Sequence, residues 1–406
     1  MTLRLLSSRT AERTSLGLVG LAVALFAACE PSGPSTGSGG AAAGGAVTTG
    51  GAPGSGGIAS GGGGGASGGD PGSGGASGGE AATGGTSAQD CSQPSDAGPL
   101  TTRLPCLLSD TGLYESDMVT LGDGVHPYEP MFHLWTDGAD KKRWISLPPG
   151  EQIDSTDMDF WVFPTGTRLW KEFSRDGIRI ETRLIEKQST GAWQTVAYQW
   201  RGDQTEADAV PNGVENASGT QHDIPSTEDC LKCHSQQPDK ALGFSAIQLS
   251  HAPANASDPL EWTLGSLRDG DLLSAPPAED FVVPGTPEER EFFGYLHANC
   301  GHCHNPKGTA NTQTGLDMWL KVADLDGPVT EFSVYKALYN VDIVALDGEH
   351  PDAPKRVTPG SVDDSAIYQR FLDKDQAWKM PPLGSNEVDP TGQAAMEAWI
   401  DALPPP

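Results

Sequence analysis

The chain has 406 residues, with 26 Lys and Arg against 54 Asp and Glu, a formal charge of −28. That balance excludes nucleic acid as a partner, because phosphate binding needs a basic patch, and it suits a basic soluble partner met by electrostatic steering. With 36% hydrophobic residues the chain can hold two or three domains, yet its composition is too uneven for all of it to pack.

Residues 1–29 read as an export signal, with Arg4, Arg9 and Arg13 before an uncharged, mostly apolar run from Leu16 to Ala28. The run is too short to span a bilayer as a permanent helix. It ends in "LFAAC", which resembles the lipobox of bacterial lipoproteins, with Phe26 where that pattern usually has Leu. Ordinary signal peptidase fits less well, because Phe26 is too large for its small-x-small site. The resemblance implies lipidation of Cys29 and an exported protein held at the cell envelope, periplasmic or on the outer surface, by its lipid alone. Residues 30–90 are almost all Gly, Ser, Ala and Thr. Such a segment has too few apolar side chains to offset the entropy of ordering it, so a disordered tether is expected, spanning roughly 40–45 Å.

Residues 91–225 have a strand texture. In "GIRIETRLIEK" Ile178, Ile180, Thr182 and Leu184 alternate with Arg179, Glu181 and Arg183, after the turn "RDG"; "TVAYQW" continues with Val196, Tyr198 and Trp200. The expectation is a β-rich, sandwich-like domain. Trp135, Trp144, Trp161 and Trp170 are read first as packing and second as a platform for a sugar or cofactor. Asp137, Asp140 and Lys141, close together in "TDGADKK", either line a site or form a turn. In an exported chain, Cys91 and Cys106 are expected to pair in a disulfide closing a short loop, worth about 3 kcal/mol.

The remaining four cysteines form "CLKCH" at 230–234 and "CGHCH" at 300–304. C-x-x-C-H reads as c-type haem attachment: Cys230 and Cys233, and again Cys300 and Cys303, are spaced to bond the two vinyl groups of one porphyrin, while His234 or His304 reaches the iron. A thioredoxin-like dithiol needs a βαβ setting that neither flank shows. A four-ligand zinc site needs the two pairs to converge, and it leaves both histidines unexplained. His302, inside the second motif, is expected to point away from the iron.

Residues 226–284 form the first haem-binding segment, and residues 285–406 carry "PEEREFFGYLHANC", "KMPPLG" and "TGQAAMEAWIDAL". Phe292, Phe293 and Leu296 predict an amphipathic helix running into Cys300; Ala395, Trp399 and Leu403, with Ile400 beside them, predict a second. This stretch resembles class I cytochrome c, which implies two terminal helices packed across each other and Met380 as sixth ligand of the second iron. Met318 is read as packing. For the first iron the sixth ligand is left between His222, His251, a methionine such as Met131, and an open position.

From about Asp110 to Pro404 the chain resembles an uncharacterised family of exported dihaem c-type cytochromes. The match rests on "HLWTDGADKKRWISLPPG", "FWVFPTGTRLWKEF", "ETRLI", "IPSTEDCLKCH", "LGFSAIQL", "NCGHCHNP", "RVTPGSVDDSAIYQR" and "KMPPLG". It implies two c-type haems and electron transfer, in a multidomain chain whose β-rich part precedes a mainly α cytochrome region. It supplies no substrate. Two function classes therefore stand: an electron carrier serving an exported redox partner, or a haem enzyme, either peroxidase-like or with an organic substrate on the β domain.

Overall fold

Alternation of side chains and a tight turn build the first layer. In the computed structural model, which describes residues 104–254, 258, 260–344, 353–374 and 378–406, six strands form one antiparallel sheet in sequence order. They are β1 (His126–Pro127), β2 (Asp140–Ser146), β3 (Arg168–Arg175), β4 (Ile178–Lys187), β5 (Trp193–Trp200) and β6 (Ala207–Ala209). The β3–β4 hairpin turns at Asp176 and Gly177, both left-handed at φ 50° and 76°. Two such residues make the turn whose twist matches that of the flanking strands, and Asp-Gly is a favoured pair for it. The sandwich expected from the sequence is corrected here: the described residues hold one sheet, and helices and loops cover it where a second sheet was expected.

The two faces of that sheet differ. On one, Trp144, Trp170, Leu184 and Val196 stand in register across β2 to β5 and pack with Leu104, Leu108 and Tyr198. On the other, Ile145, Leu169 and Ile185 form an apolar row against Phe244 and Leu249, and the next row is Arg143, Lys171 and Arg183. This charged face is not turned to solvent; Glu181 is wholly buried and Arg143 is 3% exposed. Trp144, Trp161 and Trp170 are all buried, which fits packing and leaves no platform on them. Asp137 forms a turn with φ 45°, and its Oδ1 accepts the backbone N–H groups of Asn386 and Glu387, tying the segment before β2 to the C-terminal part.

Among the described residues seven α-helices follow: α1 (Thr227–His234), α2 (Leu264–Asp269), α3 (Pro287–Asn299), α4 (Thr309–Thr314), α5 (Ser333–Leu338), α6 (Ala366–Leu372) and α7 (Pro390–Ala402). The two long ones begin where the sequence signals them. Pro287 occupies the first turn of α3 behind a Thr286–Glu289 capping box, and Pro390 opens α7 behind the Asp389 cap. They pack through Phe292 and Trp399, whose rings stack at 4.1 Å, within a core that includes Phe293, Leu296, Phe332, Met318 and Met396. Gly392 lets the helices close: a Cβ there would stand 2.3 Å from the Tyr295 ring. Phe281 and Val322 touch both this core and the apolar row of the sheet, and the described residues fall in a single compact unit. About Cys29, Cys91 and the glycine-rich tether nothing is described; all lie outside those residues.

Candidate functional site

The first motif sits at the end of a short helix. Ser226 and Asp229 form the capping box that starts α1, and the helical period then places Cys230, Cys233 and His234, at i, i+3 and i+4, on one face. That face lies over the charged side of the sheet: Thr227 bonds the Thr195 carbonyl, and the Arg183 guanidinium lies within electrostatic reach of both thiols. Cys230 is buried, which pushes its thiol up.

The second motif sits just past a helix end. Cys300 is the C-cap of α3, and the N–H groups of Cys303 and His304 both return to the Cys300 carbonyl at 3.1 and 2.9 Å, so the turn continues for one more winding. Gly308 closes the loop behind it; a Cβ there would stand 2.1 Å from the Cys303 carbonyl oxygen. Cys300 packs against the helical core, and burial pushes its thiol up to about 12.

Both motif histidines are prepared alike. His234 Nδ1 meets the Lys240 carbonyl at 2.6 Å and His304 Nδ1 meets the Leu316 carbonyl at 3.3 Å. A carbonyl only accepts, so Nδ1 is the protonated nitrogen in each ring and Nε2 keeps its lone pair. Burial holds both rings at about 4, well below the ordinary histidine value, so both are neutral at neutral pH. A neutral imidazole with one nitrogen fixed on a backbone carbonyl and the other free is the form that ligates metals.

The chain next to each orienting carbonyl is fastened by a buried charge that sequence reading missed. Beside Lys240, Asp239 accepts from Lys187 Nζ at 2.7 and 2.9 Å, from Trp193 Nε1 at 2.8 Å and from the Phe163 N–H, which clamps the loop to the sheet. Beside Leu316, Arg356 donates to the carbonyls of Thr314, Gly315 and Ala337 at 2.5, 3.2 and 2.8 Å.

The motifs are neighbours. Gln236 Oε1 accepts from the Thr309 N–H and hydroxyl at 2.9 and 2.8 Å, and Asn305 Nδ2 donates to the Gln236 carbonyl at 3.3 Å. Cys233, His302 and Cys303 bring their sulfur and nitrogen atoms within 4.8 Å of one another. The Cys303 thiol hydrogen-bonds Cys233, which holds the Cys233 thiol down at about 4 and pushes Cys303 up. All four motif cysteines are free thiols, while Cys106 is disulfide-bonded. His302 thus faces the first motif from inside the second. Only one cysteine of each pair joins the cluster: Cys230 lies against Thr195 and Cys300 against the helical core.

The candidate sixth ligands occupy distinct places. Met380 lies on a loop held to α6, its N–H on the Arg370 carbonyl at 2.8 Å and its carbonyl on Lys374 Nζ at 3.3 Å; Arg370 lies within electrostatic reach of His304, and Lys374 of Cys300. His222 Nε2 meets Glu181 Oε1 at 2.7 Å in a fully buried pair. His251 has both ring nitrogens on backbone carbonyls, Ala252 and Glu129, at 2.6 Å each. Met131 is half-buried, its N–H on the Gln248 carbonyl at 2.7 Å, and Met318 is buried in the helical core. The chain matches no protein-family model, no curated protein and no solved structure.

Proposed function

We propose that the protein is an exported dihaem c-type cytochrome that carries electrons between redox partners at the cell envelope. The observation that carries this reading is the pair of neutral motif histidines, each with Nδ1 on a backbone carbonyl and Nε2 free, beside two cysteines at haem-attachment spacing. The haem groups supply one-electron exchange at iron. Cys230 and Cys233, and Cys300 and Cys303, would hold them covalently, His234 and His304 would each supply a nitrogen to an iron, and Met380 would supply a sulfur to the second. The stacked pair Phe292 and Trp399, which joins the helix before the second motif to the helix after Met380, supports a class I-like cytochrome arrangement for the C-terminal part. The contact of Cys233 with Cys303 supports direct passage of electrons between the two sites, since it keeps both attachment points in one neighbourhood.

Export and anchoring rest on the leader and Cys29. Both lie outside the described residues, and the −28 charge supports a basic redox partner. The test is the full chain made in a host that matures c-type cytochromes. A pyridine haemochrome count of two per chain, with ferric spectra inert to peroxide, supports the carrier; one high-spin iron that reacts with peroxide makes the protein an enzyme.

One observation favours a second reading. Cys233, His302 and Cys303 are a three-donor set of the sulfur and nitrogen type that zinc prefers. Zinc or another soft metal bound at one per chain, with no covalent haem, would establish that reading in place of the first.

A further inference from the structure

The row Arg143, Lys171 and Arg183 runs in register across β2, β3 and β4 on the face that carries the first motif. Neighbouring Lys141 adds a fourth cation, one row further along β2. Against these four the same face offers two carboxylates. Glu129 takes Arg143 Nη1 at 2.9 Å and Glu181 takes Arg183 Nη2 at 2.5 Å. Lys141 Nζ turns to the Ala139 carbonyl at 3.0 Å, and two donors remain, the Lys171 ammonium and the second terminal nitrogen of the Glu129-paired Arg143. Lys171 has neither an ion pair nor a hydrogen bond among the described residues, only the Phe173 ring 5.8 Å from its Nζ. Arg143, with its side chain 2% exposed, keeps Nη2 buried and without a partner.

Both groups line one cleft with His302, His297 and Trp319. The cleft holds about 30 Å³, above the roughly 10–15 Å³ that one water needs. Burial and the neighbouring Arg143, Arg183 and Lys141 drive the Lys171 ammonium well below its ordinary value, so an anion is what this position lacks. His234 lies within electrostatic reach of both Lys171 and Arg183, which ties the row to the first motif. In a chain with a charge of −28, an unpaired, half-buried ammonium beside a buried guanidinium that is only half satisfied is costly unless an anion joins them.

We infer that Arg143 and Lys171, backed by Arg183, form a carboxylate-binding site that takes a propionate of the haem on the first motif. The inference rests on the dihaem reading. Lys171 then pairs with the carboxylate as an ammonium, and Arg143 Nη2 adds a second charge-assisted bond.

The test compares the haem-loaded full chain with its Lys171→Gln, Lys171→Arg and Lys142→Gln variants, the last removing a charge at an exposed position whose side chain lies on the other face of β2. Haem is counted first, and each potential is then titrated from pH 5 to pH 8. Lys171→Gln is expected to keep two haems and to lower one potential, so that the reduced fraction at fixed ambient potential falls about tenfold, or about 59 mV for one electron. That potential should also become pH-dependent as the unpaired carboxylate titrates, with Lys171→Arg restoring the flat profile and Lys142→Gln changing neither. Two haems with unchanged potentials and pH profile in Lys171→Gln would overturn the inference. So would acetate shifting the wild-type potential as the variant does, because the site would then be taking free carboxylates. Failure of the dihaem reading shows separately, as absence of covalent haem from the wild type.

Discussion

The two C-x-x-C-H motifs solve one problem with opposite charges. Each has its histidine held with Nδ1 on a carbonyl, and in each the chain beside that carbonyl is fastened by a charge. At the first motif the clamp is an anion: Asp239 reaches back to Lys187, Trp193 and the Phe163 N–H, so the sheet grips the loop. At the second it is a cation: Arg356 gathers three carbonyls around Gly315 and fastens the loop to the helical part. The difference follows from what each motif rests on. A sheet face already crowded with Arg143, Lys171 and Arg183 accommodates a carboxylate, whereas the second loop offers only carbonyl oxygens and calls for a donor.

The largest effect should come from breaking the first clamp. Asp239→Ala leaves Lys187 buried and unpaired, and losing one partner of a buried ion pair costs about 3–5 kcal/mol. Thermal or denaturant unfolding should show a loss of that order, with the first haem, not the second, incompletely attached. Arg356→Met strands carbonyls instead of a charge and should cost less, about 2–3 kcal/mol, with the deficit on the second haem. Equal damage to both haems in either variant would break the comparison, since each clamp would then serve the whole fold.

The sequence carries these features unequally, and the reason is separation along the chain. The Asp176–Gly177 hairpin, the α3 and α7 helices and both attachment motifs are local: each is written in one short continuous stretch, the helices in 13 residues each, and reads from spacing and caps. Asp239 and Lys187 are 52 positions apart, and Arg356 lies 41 from Gly315. No period links such residues, so each looks like an ordinary surface charge. The alternation in "ETRLI" was legible, but the fate of its polar side was not. Whether Glu181 and Arg183 face water depends on what the rest of the chain lays over them, and here α1 and the segment carrying His222 do so. The place of His302 was illegible for the same reason: spacing says nothing of where a spacer residue points, and the neighbouring motif, seventy residues back, supplies the place.

On the dihaem reading, a smaller effect separates the two sites. Met380→Ala should leave both haems attached and the fold intact, because the loop is held through backbone atoms, its N–H on Arg370 and its carbonyl on Lys374. It should abolish the methionine-sulfur charge-transfer band and lower the potential of the second haem alone, since a thioether opposite histidine raises it. An unchanged band would remove Met380 from the site and make the two irons alike.

The smallest effect tests whether the motifs act as a pair. Gln236, two residues past His234, accepts both Thr309 donors, while Asn305 Nδ2 reaches its main-chain carbonyl, so a few hydrogen bonds join the segments that follow each motif. Gln236→Ala removes the side-chain acceptor and keeps the carbonyl. Thr309 is exposed and recovers water, so the stability cost should stay at about 0.5–1.5 kcal/mol. Neither histidine loses its own carbonyl partner, so both potentials should hold. What should change is exchange between the sites, read as slower equilibration of the two haems after one is reduced by a light pulse. If that rate is unaltered while stability falls by the expected amount, the bridge serves folding alone, and the proximity of Cys233 to Cys303 is enough to couple the pair.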